Sequence, residues 1–210
     1  MQVRPLTPDA LAEVIAERLA ALPAPPGGRV RAAVDGSAAA ATGPLADAVA
    51  EALRLRGRPV LRVRAADFLR PASLRLEYGH QDADAYLDGW LDVNALFREV
   101  FDPLEEGGSG RALPALWDAA ADRAVRTDPV PLPPGGVLLL DGPLLLGRWL
   151  PLDLSVHLWL SPAALARRTP ADQQWTLPAF ARYEDEVRPG EAADLVVRAD
   201  DPRRPALVVG

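Results

Sequence analysis

Two patterns of apolar residues alternate along the chain: segments with an apolar residue about every four positions, and short continuous apolar runs. After Thr7-Pro8-Asp9, apolar residues recur every four positions at 11, 15 and 19, which predicts a capped helix. Short apolar runs predict strands at Arg31–Val34, Val137–Leu140 and Val156–Leu160, each followed by a loop and a helix. Strands that alternate with helices are typical of a mostly parallel sheet covered on both faces, so the pattern predicts a three-layer α/β domain.

The rest of the chain adds elements of the same kind. A helical pattern with a break near Leu91-Asp92 covers 85–104, and a β-excursion is expected within 112–132. A helix at Ala163–Arg168 precedes a charged segment at 182–190 that is expected to be exposed, and late strands follow at Leu195–Val197 and Ala206–Val209. Because no internal repeat or domain boundary is visible, residues 1–210 are expected to form one domain, with 1–28 as a leading helix and linker.

Composition excludes several classes of function. The 210-residue chain has a net charge of −6 and a pI near 5.0, which argues against general nucleic-acid binding. No apolar run reaches the roughly 18–20 residues that span a bilayer, and no signal core is present, so no membrane contact and a cytoplasmic location are expected. Without cysteine there is no disulfide, thiolate metal site or cysteine nucleophile, and without lysine no mechanism can use a lysine side chain.

Ligands of parallel α/β sheets bind at the carboxyl ends of the strands, which are marked here by Asp35-Gly36, Ala65–Asp67 and Asp141-Gly142. The stretch AVDGSAAAATGPLA (33–46) joins a strand to a helix at one of these ends. Three interpretations are open from the residues alone: a phosphate-binding loop, the remains of one, or an alanine-rich turn.

Several segments, taken in order and with their spacing, resemble one family. They are VDG (34–36), ADFLRP (66–71), YGHQDADAYLDGW (78–90), FDPL (101–104), RALPALWDAAADRAVR (111–126), LLLDGPLLL (138–146), LARR (165–168) and ADLVV (193–197). Together they resemble the uridine kinase-like branch of the P-loop kinases over nearly the whole chain. The resemblance implies a P-loop α/β sandwich and an ancestral transfer of a phosphoryl group from ATP, with magnesium, to a nucleoside-like hydroxyl.

The phosphate loop departs from the family motif GxxxxGK[ST]. It opens normally with Gly36-Ser37, but the second glycine is replaced by Ala41 and the phosphate-binding lysine by Thr42. The hydroxyl residue that ligates magnesium is replaced by Gly43, and Pro44, which has no N–H, follows. Residues 35–43 are therefore predicted to form a turn with the position of a phosphate loop but without its chemistry, with the next helix starting near Pro44.

The acceptor side is also altered. The family carries an aspartate as base where this chain has Ala66, and only the neighbouring Asp67 could substitute for it. Asp141 ends the most apolar strand, so it is either a magnesium-holding carboxylate or the N-cap of a helix over PLLL. The lid arginines of the family correspond to Arg167 and Arg168, which as helix-end cations would need no function, and the lid-like region 165–190 is shortened.

Four residues fall where the family binds its acceptor, although each could simply be a polar side chain exposed to solvent: Asp82, Asp84, Tyr86 and Asp118. The two histidines, His80 and His157, have no metal-ligand spacing, and His157, inside an apolar strand, is expected to be structural.

Three functions follow from these residues. The favoured hypothesis is a pseudokinase, which keeps the fold and a nucleoside-like ligand pocket and serves as a binding or regulatory module for an unknown protein partner. The alternative is an active small-molecule kinase with a divergent loop, using ATP and magnesium. The third is an unrelated nucleotide- or dinucleotide-binding α/β protein, although GSAAAATG lacks the GxGxxG spacing.

Overall fold

The structure is a computed structural model that describes residues 2–24 and 27–209. A seven-stranded sheet forms its centre. The strands are β1 (Gln2–Pro5), β2 (Val30–Asp35), β3 (Val60–Arg64), β4 (Val137–Gly142), β5 (Leu154–Trp159), β6 (Leu195–Arg198) and β7 (Ala206–Val209). Their order across the sheet is β1-β7-β6-β5-β2-β4-β3. The five strands from β6 to β3 are parallel to one another, and β7 pairs antiparallel with both of its neighbours.

Helices and turns connect these strands. The α-helices are α1 (Pro8–Ala21), α2 (Thr42–Leu55), α3 (Ala72–Arg75), α4 (Ala83–Gly89), α5 (Val93–Leu96), α6 (Pro162–Arg168), α7 (Leu177–Glu186) and α8 (Pro189–Ala192). A π-helical turn at Phe97–Phe101 continues α5, and 3₁₀ turns occur at Ala38–Ala40, Ala65–Phe68, Asp102–Leu104 and Ala171–Thr176. Two short antiparallel pairs lie in the predicted β-excursion, Arg111–Ala112 with Val130–Pro131 and Trp117–Asp118 with Arg123–Ala124.

Each face of the sheet buries its own apolar layer. In β4, Val137 and Leu139 join a core with α1 and α2, whereas Leu138 and Leu140 join a second core with the segment from Phe68 to Leu104. Side chains that alternate across a strand therefore fill both layers, and this is why the strand is apolar throughout. The predicted three-layer α/β sandwich with a mostly parallel sheet is confirmed.

Two local predictions need correction. Strand β1 was not predicted, because its four residues are exposed and it is held at the sheet edge by pairing with β7. The charged segment at 182–190 was expected to be exposed, and most of its residues are, but it contains the second half of α7 and the start of α8, and Tyr183 is only 2% exposed. The predicted helix break near Leu91-Asp92 is present, between α4 and α5.

Candidate functional site

The turn after β2 has a constrained backbone. A Cβ on Gly36, whose φ is 154°, would lie 3.0 Å from the carbonyl oxygen of Leu158, so only glycine fits there. After the 3₁₀ turn at Ala38–Ala40, Ala41 adopts a left-handed conformation with φ 61° and ψ 48°. Helix α2 then begins at Thr42. Strand, tight turn and helix N-terminus thus follow one another in the arrangement that binds phosphate in other proteins.

The side chains on this backbone lack phosphate chemistry. Thr42, at the lysine position, is 6% exposed and uncharged, and Gly43 has no hydroxyl. Helix α2 starts two residues before the predicted Pro44, which is its third residue, and the first i→i−4 bond runs from the Leu45 amide to the Ala41 carbonyl at 3.4 Å. Proline therefore removes no helix bond, but it does remove one of the free amides at the helix start.

The carboxylate of Asp141 lies beside this helix start. An ideal Cβ on Gly43 would be 3.5 Å from Asp141 Oδ2, so the carboxylate faces the position of the missing hydroxyl residue. Asp141 Oδ1 lies 2.9 Å from Nη2 of Arg62 on β3, and the side chains are only 8% and 13% exposed. Arg62 also contacts Asp47 Oδ1 of α2 at 3.1 Å. Asp141 is thus held in an ion pair that links β4, β3 and α2.

Burial raises the pKa of Asp141, although Arg62 and Arg64 oppose this increase. The alternative role of Asp141 as the N-cap of a helix over PLLL is wrong, because residues 143–153 form turns and bends rather than a helix. The Asp141 carboxylate instead forms an ion pair with Arg62.

Asp67 lies on the 3₁₀ turn directly after β3, at the same edge of the sheet. Burial raises the pKa of Asp67; Arg64 lowers it, and the charges of Asp141 and Asp118 raise it further. Two other predicted site carboxylates, Asp118 and Asp141, are therefore near enough to affect Asp67. Ala66, where the family has its base, is exposed.

The other predicted acceptor-binding carboxylates have structural partners. Asp118 accepts hydrogen bonds of 3.0 Å from the amides of Ala120 and Ala121, and these bonds lower its pKa. Asp82 caps α4 by accepting a 2.6 Å bond from the Ala85 amide, and Asp84 pairs with Arg182 at 3.0 Å. These contacts fix local turns and helices, so a binding role for the three carboxylates stays a prediction.

Tyr86 belongs to an aromatic cluster formed by Tyr86, Trp90, Trp175 and Phe180. Its ring centroid lies 5.1 Å from Trp90 and 5.6 Å from Trp175, in edge-to-face geometry. Burial raises the pKa of Tyr86 to about 12, with Arg148 acting in the opposite direction. Because Tyr86 and Trp90 lie on or next to α4 and Trp175 and Phe180 belong to 171–186, the cluster fastens the lid-like region to α4.

The two predicted lid arginines end helix α6. Arg168 donates a 2.8 Å hydrogen bond to the carbonyl oxygen of Ala199, beyond the end of β6, and Arg167 is exposed. Arg168 therefore holds α6 against the end of β6.

A buried polar cluster under the phosphate loop was missed by sequence reasoning. Asp35, at the end of β2, is fully buried; its Oδ2 lies 2.7 Å from Nδ1 of His157 on β5 and accepts a 3.1 Å bond from the Tyr183 hydroxyl. Its Oδ1 accepts a 2.8 Å bond from the Leu145 amide. Burial, followed by the charge of Asp35, raises the pKa of Tyr183. The sequence feature that could have indicated this cluster is the position of Asp35 at the end of a strand, beside Gly36.

Arg62 was also missed by the sequence analysis, since an arginine within a strand is usually exposed to solvent.

Within residues 2–24 and 27–209, no group of three His, Asp or Glu side chains is arranged to hold a metal ion. No helix in the described part of the chain is long and apolar enough to cross a membrane.

Two solved structures with a similar fold are described as possible or putative kinases. The chain is similar to a possible uridine kinase from Bacillus stearothermophilus, with a TM-score of 0.70 and 20% identity over 88% of this chain and 96% of that one. It is also similar to a putative fructose transport system kinase from Silicibacter sp. TM1040, with a TM-score of 0.62 and 25% identity over 90% of this chain and 95% of that one. No protein-family model and no curated protein matches the sequence. The structural likeness supports the uridine kinase-like P-loop fold predicted from the sequence.

Proposed function

We propose that this chain, which has the fold of the uridine kinase-like P-loop kinases, is a pseudokinase that acts as a binding or regulatory module. The observation that carries the proposal is the 2.9 Å ion pair between Arg62 and Asp141, directly beside Gly43. The arginine neutralises the carboxylate that would otherwise attract a magnesium ion, at the helix start where the hydroxyl ligand is missing.

The residues present do not fit ATP with magnesium. A phosphate loop contributes a lysine, a hydroxyl metal ligand and a series of free amides. Here those contributions are replaced by the buried Thr42 and by Gly43, and Pro44 lacks an amide hydrogen. The chain contains no lysine at any position that could be recruited instead. We therefore derive no phosphoryl-transfer step for this protein.

The proposal keeps a role for small-molecule binding. A nucleoside-like ligand at the acceptor edge would meet Asp67, and binding there would need neither ATP nor a metal ion. In this proposal a protein partner binds differently to the ligand-bound and the ligand-free protein. Binding of the ligand comes before any response of a partner, so it is tested first.

An active kinase with a divergent loop is the second candidate. The observation that favours it is the raised pKa of Asp67, since a carboxylate with a raised pKa is a better base toward a hydroxyl group. This candidate requires ATP and magnesium to bind tightly to the protein as it stands.

Calorimetric titration with ATP and magnesium, and separately with a panel of nucleosides, tests the proposal. We expect ATP to bind in the millimolar range or more weakly. The variant Ala41→Gly, Thr42→Lys, Gly43→Thr, Pro44→Thr restores the motif, and we expect it to bind ATP roughly 10–100-fold more tightly, since a charge-assisted hydrogen bond contributes about 1.5–3 kcal/mol. Adding Arg62→Gln should raise the magnesium dependence of this binding by freeing Asp141.

A matched control carries Thr42→Met in place of Thr42→Lys and keeps the other three changes. It restores the backbone of the loop without the charge, so it should gain much less affinity. Micromolar ATP binding by the unmodified protein, or robust phosphorylation of any nucleoside, would overturn the pseudokinase proposal and support the active kinase.

A further inference from the structure

A cavity of about 540 Å³ lies between the carboxyl end of β5 and helices α6 and α7, next to the first residues of the phosphate loop. This volume is within the range of small-molecule binding sites, about 300–1,000 Å³. Its walls are apolar and include Trp159, Leu160, Leu165, Leu177 and Phe180. Because β5 and β4 flank β2 on opposite sides, the cavity is on the other side of the loop from Asp141.

Two residues that line this apolar space, His157 and Ser37, each bury a polar atom, Nε2 and Oγ, for which residues 2–24 and 27–209 offer no hydrogen-bond partner. His157 is 4% exposed and Ser37 is 8% exposed. Buried polar atoms are nearly always hydrogen-bonded, and leaving one without a partner costs about 1–3 kcal/mol. A ligand that offers a partner to Nε2 would recover this free energy.

The imidazole of His157 is fixed in one orientation. Its Nδ1 lies 2.7 Å from Asp35 Oδ2, and its Nε2 lies 3.7 Å from Oε1 of Glu184, which also lines the cavity. Burial alone would lower the pKa of His157, but Asp35 and Glu184 outweigh this effect and raise it to about 9. At neutral pH, Nε2 therefore carries a proton and acts as a donor.

Glu184 supplies the complementary acceptor. Its side chain is 44% exposed and also lines the cavity, so its carboxylate can turn toward a bound molecule. A donor and an acceptor stand side by side at the polar end of an apolar space. Two carboxylates, of Asp35 and Glu184, face a single imidazolium, which disfavours an anionic ligand.

We propose that this cavity binds a flat, neutral, mainly apolar ring system with a lactam edge, in which a carbonyl group is next to an N–H. The carbonyl oxygen accepts a hydrogen bond from His157 Nε2, and the N–H donates to the carboxylate of Glu184. The ring lies among Trp159, Leu165 and Phe180. This binding site is separate from the acceptor edge at Asp67 and does not depend on whether ATP binds.

Three matched probes test the proposal by calorimetry: isoquinolin-1(2H)-one, its N-methyl derivative and isoquinoline. The first has both the carbonyl and the N–H, the second keeps the carbonyl but lacks the N–H, and the third lacks both and offers only a ring nitrogen as an acceptor. Because losing a hydrogen bond to a charged group weakens binding by roughly 10-fold or more, we expect only the intact lactam to bind well. Equal affinity for the lactam and its N-methyl derivative would overturn the donor–acceptor assignment.

Variants locate the site. Ala181→Trp places a large side chain at an exposed position that lines the cavity, and it should abolish lactam binding. Ala163→Trp is the control, because Ala163 is exposed on α6 and is absent from the lining. Glu184→Gln should weaken lactam binding roughly 10-fold, and, since Glu184 is exposed, it should leave folding intact.

Unchanged lactam affinity in Ala181→Trp, or no detectable binding of the lactam to the unmodified protein at millimolar concentration, would overturn the proposal. Neither result bears on ATP binding, so failure here is distinguishable from failure of the pseudokinase proposal.

Discussion

The guanidinium of Arg62 lies 2.9 Å from the carboxylate of Asp141, and both side chains are largely buried at the start of helix α2. An ion pair in this setting is costly to break, since removing one partner leaves an uncompensated buried charge. The same ion pair therefore contributes to the stability of the fold and holds the carboxylate beside the phosphate loop. We propose that this contact, rather than magnesium binding, is the role of the Asp141 carboxylate.

Arg62→Met should destabilise the protein by about 3 kcal/mol at pH 8. The pKa of Asp141 is already raised in the folded protein, and losing Arg62 raises it further. A carboxylate whose pKa is higher in the folded than in the unfolded protein destabilises the fold at pH values above its unfolded-state pKa, where it is ionised. The stability lost in Arg62→Met should therefore become smaller as pH falls toward 5 and Asp141 takes up a proton. Urea unfolding at both pH values measures the difference.

Two further variants control this prediction. Arg64→Met removes an exposed arginine two residues later on β3 and should cost much less. Asp141→Asn combined with Arg62→Met should recover part of the stability. If Arg62→Met and Arg64→Met lose the same stability, or if the loss in Arg62→Met does not depend on pH, the ion pair of Arg62 with Asp141 is not the cause.

Ala41→Gly should stabilise the protein. The left-handed conformation of Ala41 costs an L-residue about 1–2 kcal/mol, whereas glycine adds about 0.4–1 kcal/mol of unfolded-state entropy. We expect a net gain of about 0.5–1 kcal/mol in the free energy of unfolding. Ala38→Gly, in the adjacent 3₁₀ turn, should instead lose about 0.5–1 kcal/mol. Destabilisation by both changes to a similar extent would contradict a strained Ala41.

Stability should fall between pH 6.5 and pH 9. His157 has a folded-state pKa of about 9 against an ordinary value of 6.5, so its protonation stabilises the fold fully below pH 6.5 and no longer above about 9. A difference of this size corresponds to roughly 3 kcal/mol at most. Chemical denaturation across this range should show the decrease in the unmodified protein and a much flatter profile in His157→Gln.

His80→Gln, which changes the other, exposed histidine, is the matched control and should leave the profile as it is. If the decrease persists in His157→Gln, another group is responsible.

The lid-like region should be held by aromatic packing more than by ion pairs. Trp175→Ala removes a ring whose centroid is 5.6 Å from Tyr86 and 5.4 Å from Trp90. An aromatic pair contributes about 0.5–1.5 kcal/mol beyond its buried area, so amide hydrogen exchange in 171–186 should increase by roughly 10-fold. Mass spectrometry of peptides from this segment measures the change.

Arg182→Ala is the comparison. It removes ion pairs with Asp84 at 3.0 Å and with Asp88 at 2.7 Å, but these groups are exposed and the pairs are screened by solvent. Its effect on exchange should be small. The opposite ranking of the two variants would mean that the ion pairs hold the lid.

Local sequence patterns determined the architecture. The apolar runs of β2, β4 and β5 predicted central strands of a mostly parallel sheet, because strands buried on both faces are apolar throughout, and the structure places the three side by side. The replacements at Ala41, Thr42 and Gly43 were equally visible, since a motif is a matter of residue type at a fixed spacing. Strand β1 escaped prediction because it has no apolar residue pattern and is held by pairing at the edge of the sheet.

Tertiary structure alone decided which side chains meet. Asp35 and His157 are 122 residues apart, and Asp35 and Tyr183 are 148 apart, yet all three share one buried cluster. No periodicity encodes such a contact, because it depends on how strands pair and where a distant helix packs. The pairing of Arg62 with Asp141 depends in the same way on the register of β3 against β4, which the sequence of either strand leaves open.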